Sequence, residues 1–128
     1  MRIRNQRYGA YLREVGEQVK YCQGESGAAD QHWIVEEFLG SQHIRNRLTG
    51  HYLTIQHQFP HVESISIEDS WISAQWHLEK VADGGTLIRS VWRPWQFLHI
   101  QVLDGYVQYG GSGINRENAL WVLEIVEG

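Results

Sequence analysis

The sequence predicts an all-β fold built from three copies of one structural unit. Four landmarks recur in the same order in each copy: an Ile-Arg pair, an aromatic residue followed by Leu, a Val, and a Trp followed three residues later by Glu. The Trp-to-Trp spacings are 43 and 45 residues. A period in this range is typical of a repeated supersecondary unit. The landmarks are Ile3, Ile44, Ile88, Leu12, Leu53, Leu98, Val19, Val62, Val107, Trp33, Trp76 and Trp121.

Short runs of alternating apolar and polar residues predict about four strands in each repeat. Residues 9–17 are a weak helical candidate, but their counterparts in the other repeats alternate, so a strand is predicted. Asp104-Gly105 is a hairpin signal, and Pro60 marks the corresponding turn of the second repeat. Gly40-Ser41 and Gly84-Gly85 indicate linkers. We therefore predict one domain over 1–128, with repeats of about 1–40, 41–84 and 85–128.

Three four-stranded repeats favour a β-trefoil, in which a six-stranded barrel is capped by three hairpins. Propellers are less suitable because they have about four to eight blades. The pseudo-threefold axis of a trefoil would bring all twelve landmark residues into one core. Because successive side chains of a strand change face, the Arg after each Ile and the Glu after each Trp should point outward. We expect ion pairs on the barrel wall between Arg4, Arg45 and Arg89 and the carboxylates of Glu36, Glu79 and Glu124.

Composition excludes several classes of function. The 128 residues carry 15 acidic and 11 basic side chains, a net charge of −4 that argues against nucleic-acid binding. No apolar stretch approaches the ~18 residues of a membrane span. The first residues show no apolar signal region, and the single cysteine, Cys22, cannot form an intrachain disulfide. We expect a cytoplasmic protein that does not insert into membranes.

The sequence shows no pattern of residues typical of catalysis or metal binding. His57 and His61 are four residues apart, which suits a helix, but Pro60 between them argues against one. Cys22 has no basic residue beside it in sequence, and phosphate-loop and hydrolase motifs are missing. We predict a protein that is not an enzyme and that needs no metal and no cofactor.

The closing segment of the first repeat, Gln31-His32-Trp33, matches the Gln-x-Trp motif of the ricin-B-like lectins. Arg45-Asn46-Arg47 and Tyr52-Leu53-Thr54 resemble the opening strands of fascin-like and fungal trefoil lectins. The chain thus resembles the ricin-B-like and fascin-like β-trefoil families over its whole length. This resemblance implies a β-trefoil that binds glycans or glycoproteins.

Ricin-B-like lectins hold a sugar with an Asp, an aromatic ring, an Asn or Asp, and the Gln of the motif. By this resemblance the first repeat offers Arg13, Tyr21, Asp30 and Gln31. The third repeat offers His99, Tyr109, Asn118 and Ala119. The second repeat lacks the aromatic residue and is predicted to be inactive; its positions are Thr54, Ser64, Ser73 and Ala74. An aromatic ring covers the C–H face of a sugar while polar groups take its hydroxyls.

The third repeat also carries aromatic residues that threefold symmetry does not require. Trp92, Trp95 and Tyr106 are extra, and Trp71 breaks the symmetry of the second repeat in the same way. Trp92 and Trp95 are candidate sugar platforms, and the alternative is that these rings cap the ends of the barrel. Both interpretations remain open from sequence alone.

A lectin without catalysis is therefore the leading hypothesis, with a homodimer as an open alternative to a monomer. A trefoil-type protease inhibitor is the second hypothesis, because Trp92-Arg93-Pro94-Trp95 or Phe59-Pro60-His61 offers a candidate inhibitory loop. The third is a fascin-like protein-interaction module.

Overall fold

The computed structural model describes residues 1–23, 29–55, 60–67, 71–82, 84–100, 103–111 and 115–125. Within these residues it has twelve strands and three short 3-10 helices, one before each closing Trp. The helices are Ala29–Gln31, Ile72–Ala74 and Arg116–Ala119. The strands are β1 Arg2–Asn5, β2 Tyr11–Val15, β3 Gln18–Cys22, β4 Trp33–Phe38, β5 Ser41–Asn46, β6 Tyr52–Thr54, β7 Glu63–Ile65, β8 Trp76–Lys80, β9 Thr86–Ser90, β10 Phe97–His99, β11 Gln108–Gly110 and β12 Leu120–Glu124.

Six strands form a closed barrel. They pair in the order β1, β12, β9, β8, β5 and β4, always antiparallel. Two hydrogen bonds between the backbones of Met1 and Trp33, at 2.7 and 2.8 Å, join β4 to β1 and complete the ring. Closure matters because a closed barrel leaves no sheet edge for pairing with another chain.

The other six strands form three hairpins that cover one end of the barrel: β2–β3, β6–β7 and β10–β11. Their backbones meet in a cyclic triangle at the pseudo-threefold axis. Val19 N–H donates to the Val62 carbonyl, Val62 to Val107, and Val107 back to Val19, at 3.3, 3.1 and 2.9 Å. This is the β-trefoil architecture that the sequence predicted, including the strand over residues 11–15.

All twelve landmark residues are completely buried in one core. Each closing indole also donates its N–H to the carbonyl of the Leu in its own repeat, so the only polar atom of the ring is satisfied. The distances are 3.1, 3.1 and 3.0 Å for Trp33 to Leu12, Trp76 to Leu53 and Trp121 to Leu98.

The six predicted residues do form ion pairs on the barrel wall, but the partners belong to different repeats and not to one repeat, as the sequence had suggested. Each pair joins the first strand of one repeat to the last strand of the preceding repeat. The closest N–O distances are 3.0 Å for Arg4–Glu124, 3.2 Å for Arg45–Glu36 and 2.7 Å for Arg89–Glu79.

The prediction of a linker at Gly40-Ser41 is wrong. Ser41 already begins β5, and Gly40 lies in the tight β4–β5 turn. In the third repeat the closing strand begins only at Leu120, after a 3-10 helix.

Candidate functional site

The residues predicted for the first repeat do not assemble into one open site. Arg13 and Asp30 form an ion pair with an N–O distance of 2.5 Å. Gln31 is buried, and its side-chain oxygen accepts a hydrogen bond from Arg2 at 2.9 Å. Arg13 Nη2, Asp30 Oδ2 and Gln31 Oε1 are therefore occupied by other side chains of the protein, whereas Arg13 Nε and Asp30 Oδ1 are buried without a hydrogen-bond partner.

Tyr21 lies on the opposite face of its hairpin from Arg13. The β2–β3 register places Tyr21 opposite the core residue Leu12 and places Lys20 opposite Arg13. The ring of Tyr21 packs against the core, and its hydroxyl accepts a hydrogen bond from Gly105 N–H at 3.1 Å. The residue that shares a face with Arg13 and Asp30 is thus a lysine, without an aromatic ring.

The third repeat shows the same shift. Tyr109 lies opposite Leu98, is only 5% exposed and belongs to the core. His99 lies opposite Gln108, and both are buried. Asn118 is buried as well, with its side-chain oxygen 2.6 Å from Arg7 Nη1.

The predicted stacking role of Tyr109 must be corrected, because its ring is buried in the hydrophobic core; Tyr21 is partly buried and packs against the same core. The physical reason is the two-residue period of a strand, by which a shift of one position moves a side chain to the other face. Arg13 lies in the middle of β2 and His99 ends β10, whereas Asp30, Gln31 and Asn118 lie in the 3-10 helices.

The turn of residues 91–96, here called the tryptophan turn, distinguishes the third repeat. In the first two repeats the backbone N–H of the residue after the conserved Arg donates a hydrogen bond to the carbonyl five positions later. In the third repeat Ser90 N–H donates to the carbonyl of Gln96, six positions later, so the turn is one residue longer. The longer turn presents two indoles to solvent. Trp95 is 62% exposed and Trp92 is 36% exposed, so neither ring is buried in the core.

Beside this turn a cleft of about 420 Å³ opens on the barrel wall; we call it the Phe97 cleft. Phe97 has Gly110 as its cross-strand neighbour. The equivalent neighbours are Cys22 beside Tyr11 and Ile65 beside Tyr52, and both have side chains. Phe97 is therefore the one of these three aromatic residues whose cross-strand neighbour is a glycine. The described lining is Glu79, Lys80, Val81, Leu87, Arg89, Phe97, Gly111, Arg116 and Ala119.

The tryptophan turn and the Phe97 cleft are physically connected. Arg89 lines the cleft and donates a hydrogen bond from Nη1 to the carbonyl of Pro94. Gly111 backs directly onto the carbonyl group of Trp95, so closely that a Cβ atom there would overlap its oxygen. The position of the indoles therefore depends on residues of the cleft.

Arg89 organises the charge of the cleft. It donates two hydrogen bonds to Glu79, at 2.7 and 3.0 Å, and its guanidinium carbon lies 4.5 Å from the centre of the Phe97 ring. The hydrogen bonds from Arg89 hold the pKa of Glu79 below its ordinary value, against the opposing effect of burial. The same hydrogen bonds raise the pKa of Arg89. Both groups are therefore charged at neutral pH.

A second groove of similar volume also includes a residue of this turn. Its described lining is Trp71, Ile72, Ser73 and Trp92. The two Trp residues that break symmetry in different repeats thus meet at one place. Tyr106 does not join them: it stacks on His61 with ring centres 4.5 Å apart, and Lys20 lies 4.8 Å from its ring.

Sequence reasoning found the tryptophan turn but missed Phe97, Gly111 and the charged residues of the cleft. A signal was present, because an aromatic residue precedes the core Leu in every repeat: Tyr11, Tyr52 and Phe97. The Gly110-Gly111 pair was visible too, but only its position opposite Phe97 gives it a role.

The described part of the chain holds no cluster of three His, Cys, Asp or Glu side chains that could bind a metal ion. No helix there is long and apolar enough to cross a membrane.

The chain is similar to parts of larger glycan-degrading enzymes. One is a GlcNAcα1-4Gal-releasing endo-β-galactosidase from Clostridium perfringens, at 29% identity and a TM-score of 0.91; the match covers 98% of this chain and 32% of the enzyme. Another is an exo-β-1,3-galactanase from Clostridium thermocellum, at 16% identity and a TM-score of 0.83, covering 98% and 30%. The chain thus spans about a third of each enzyme.

A match of nearly equal length confirms the fold. The BEL β-trefoil is 18% identical, with a TM-score of 0.80, and the match covers 98% of this chain and 91% of the BEL chain. This chain is a β-trefoil. A scan against models of protein families and a search of curated proteins each found no match.

Proposed function

We propose that this chain is a non-catalytic carbohydrate-binding module whose principal site is the Phe97 cleft with the adjoining tryptophan turn. The observation that carries the proposal is the concave opening beside Phe97, a residue whose cross-strand neighbour is Gly110 where the other two repeats have Cys22 and Ile65. The exposed indoles of the turn that contacts this cleft are not part of the core.

The site combines the two kinds of surface that a sugar requires. Phe97 and the exposed indoles offer apolar faces for the C–H side of a pyranose ring. Glu79 and Arg89 offer fixed acceptors and donors for hydroxyl groups, and their mutual hydrogen bonds hold them in place before a ligand arrives. A shallow site of this kind binds weakly, so tight attachment requires several sites or several copies.

The similar solved structures support this proposal. Two of them are enzymes whose names refer to galactose-containing glycans, and in each the part that resembles this chain is about a third of the molecule. A portion of that size attached to a glycosidase is well suited to holding the same glycan near the enzyme. Galactose-containing glycans are therefore the first ligands to test.

Catalysis is not part of the proposal, because the described lining of the cleft holds no pair of carboxylates. Glycoside hydrolysis normally uses two carboxyl groups on either side of the scissile bond. Glu79 is the only carboxylate among the described lining residues, and it is already paired with Arg89.

Glycan-array screening followed by titration calorimetry tests the proposal. We expect binding to galactose-containing glycans, and we expect Phe97→Leu to weaken it by about tenfold, equivalent to ~1.4 kcal/mol. Tyr52→Leu is the matched control, since Tyr52 holds the equivalent position beside Ile65; its affinity should stay within about twofold of the parent. Equal losses in both variants, or no glycan binding at all, would refute the proposed site.

The tryptophan turn gives one specific reason to test protease inhibition as a second function. The turn is held from inside: Ser90 Oγ accepts from Arg93 N–H at 3.0 Å, and the Arg93 carbonyl accepts from Gln96 N–H at 2.8 Å. A rigid, exposed loop that contains an Arg is what an inhibitor presents to a trypsin-like enzyme. Near-stoichiometric inhibition of trypsin or papain would favour this function, and unimpaired proteolysis would exclude it. Residues 56–59, including Phe59 of the other candidate loop, lie outside the described residues.

The fascin-like interaction module, the homodimer and the cytoplasmic location stay predictions from the sequence. Cosedimentation with actin filaments tests the first, and sedimentation equilibrium tests the second. No contact described above favours them over glycan binding.

A further inference from the structure

We infer that the Phe97 cleft selects anionic saccharides, meaning sugars that carry a carboxylate or a sulfate ester, over their neutral counterparts. This inference rests on the proposed function and names the ligand class of the same site. Three features of the cleft favour such ligands: its unbalanced charge, the restriction of that charge to one repeat, and the aromatic ring of Phe97 in its lining.

The cleft is cationic although the whole chain has a net charge of −4. Its described lining contains three cations and one carboxylate. Glu79 is neutralised by Arg89 through two hydrogen bonds. Lys80 and Arg116 are exposed, and neither has an ion-pair partner among the described residues. The carboxylate beside Arg116 does not compensate, because Glu117 pairs with Arg7 at 3.2 Å.

These two cations are specific to this face of the barrel. Lys80 directly follows the paired Glu79, and the residues that follow the equivalent paired carboxylates are Ile125 and Glu37, neither of which is cationic. Arg116 stands five residues before its closing Trp, and the residues at the same distance in the other repeats are Ala28 and Trp71. Threefold symmetry of the core therefore does not require either cation.

The arrangement favours a saccharide over a bare anion. Phe97 lines the same cleft as the cations, and the tryptophan turn contacts the cleft through Arg89 and Gly111. An inorganic anion would use the cations and leave the aromatic surface unused. A sugar ring that bears one negative group uses both, because its C–H face covers an aromatic side chain while its charge is held by Arg or Lys.

Matched glycan pairs test the inference. Galacturonate and galactose oligosaccharides differ by a carboxylate, and sulfated and unsulfated galactosides differ by a sulfate ester. We expect the anionic member of at least one pair to bind about tenfold more tightly, or ~1.4 kcal/mol. This preference should shrink between about 50 and about 500 mM NaCl, because salt screens exposed charges. Which pair responds distinguishes the carboxylate from the sulfate ester.

Charge-matched variants locate the effect. Lys80→Gln with Arg116→Gln should abolish the preference, so that the anionic and the neutral member of the responding pair bind with equal affinity. The control, Lys20→Gln with Arg47→Gln, removes the same charge from the cap and from the second repeat and should keep the preference. Tryptophan fluorescence verifies that both variants remain folded.

The possible outcomes distinguish a failure of this inference from a failure of the proposed function. Equal binding of neutral and anionic glycans overturns the inference and leaves the carbohydrate-binding module intact. Complete displacement of the anionic glycan by equimolar inorganic sulfate also overturns it, since the cleft would then be a simple anion site. No binding to any glycan overturns both proposals.

Discussion

The three closing Trp residues predicted the fold from the sequence because each has a buried indole ring that the structure requires. Trp33, Trp76 and Trp121 are fully buried, and each also ties its ring N–H to the carbonyl of a Leu. A smaller residue would leave both a cavity and an unpaired carbonyl, and each has a free-energy cost of about 1–3 kcal/mol or more. Such residues tolerate little change, so the fold can be predicted from their identity and spacing.

The tyrosines show where counting along the sequence fails. Tyr21 and Tyr109 both stand twelve residues before their closing Trp, but that distance does not tell which face of the hairpin a side chain occupies. Their true orientation follows from the backbone hydrogen bonds of the β2–β3 and β10–β11 hairpins. A shift of one residue along a strand changes a candidate sugar platform into a core residue.

His99 gives a residue-level prediction about pH. Burial lowers its pKa from 6.5 to about 4. The unfolded chain therefore binds a proton between these values while the folded protein does not. Stability must then fall as the pH drops from 6.5 to about 4, by about 3 kcal/mol for this group, and no further contribution comes below pH 4.

The measurement is urea unfolding at pH 7 and pH 4 for the parent and His99→Asn. The free energy of unfolding of the parent should fall by about 3 kcal/mol more than that of the variant over this interval, because the variant has no titratable side chain at position 99. Acidic side chains contribute equally to both proteins, so the difference isolates His99. Identical pH profiles would show that the ring is protonated as readily in the folded protein as in the unfolded chain.

At the scale of elements, one hairpin determines where the cleft can exist. The outer wall has an aromatic residue at the same position in all three repeats, yet only the third has Gly110 beside it and a turn one residue longer above it. The strands and their order followed from repeated residues. The cleft lies beside the one of these aromatic residues that has a glycine as its cross-strand neighbour, and only the strand register reveals that pairing.

Gly111→Ala tests the connection between this hairpin and the tryptophan turn. The new methyl group would overlap the Trp95 carbonyl oxygen and lie 3.1 Å from its carbon, so the turn must move. We expect a stability loss of about 1–3 kcal/mol, as for other overpacked sites. Glycan affinity should fall by about tenfold, because the exposed indoles shift relative to the cleft.

Gly50→Ala is the matched control for this variant. Gly50 lies in the corresponding turn of the second repeat, has a φ of +76°, and has open space where a Cβ would be. Its substitution strains the backbone by about 1 kcal/mol without moving the third repeat, so glycan affinity should be unchanged. If Gly111→Ala loses stability but keeps full affinity in calorimetry, the turn takes no part in binding.

At the scale of the whole molecule, the barrel is a ring whose first and last strands are hydrogen-bonded neighbours. Arg2 and Glu124 are register partners across β1 and β12, and the Arg4–Glu124 ion pair crosses the same seam. Equivalent ion pairs cross the other two seams at 3.2 and 2.7 Å. Half-exposed pairs of this kind contribute only about 0–1 kcal/mol each, so the shared core and not the wall charges stabilises the ring.

This closure predicts that the break in the chain can be moved. A circular permutant that begins at Ser41, ends at Gly40 and joins the old termini by a linker of about five Gly and Ser residues opens only the β4–β5 turn. Leu39 in that turn is 93% exposed, so no core contact is lost. We expect cooperative urea unfolding within about 2 kcal/mol of the parent and unchanged glycan affinity, since the third repeat is untouched. A second permutant opened between Leu53 and Thr54 cuts a buried strand of the cap and should not fold. If the first permutant unfolds without cooperativity, the barrel depends on chain continuity at the β4–β5 turn and the ring described here does not close by strand pairing alone.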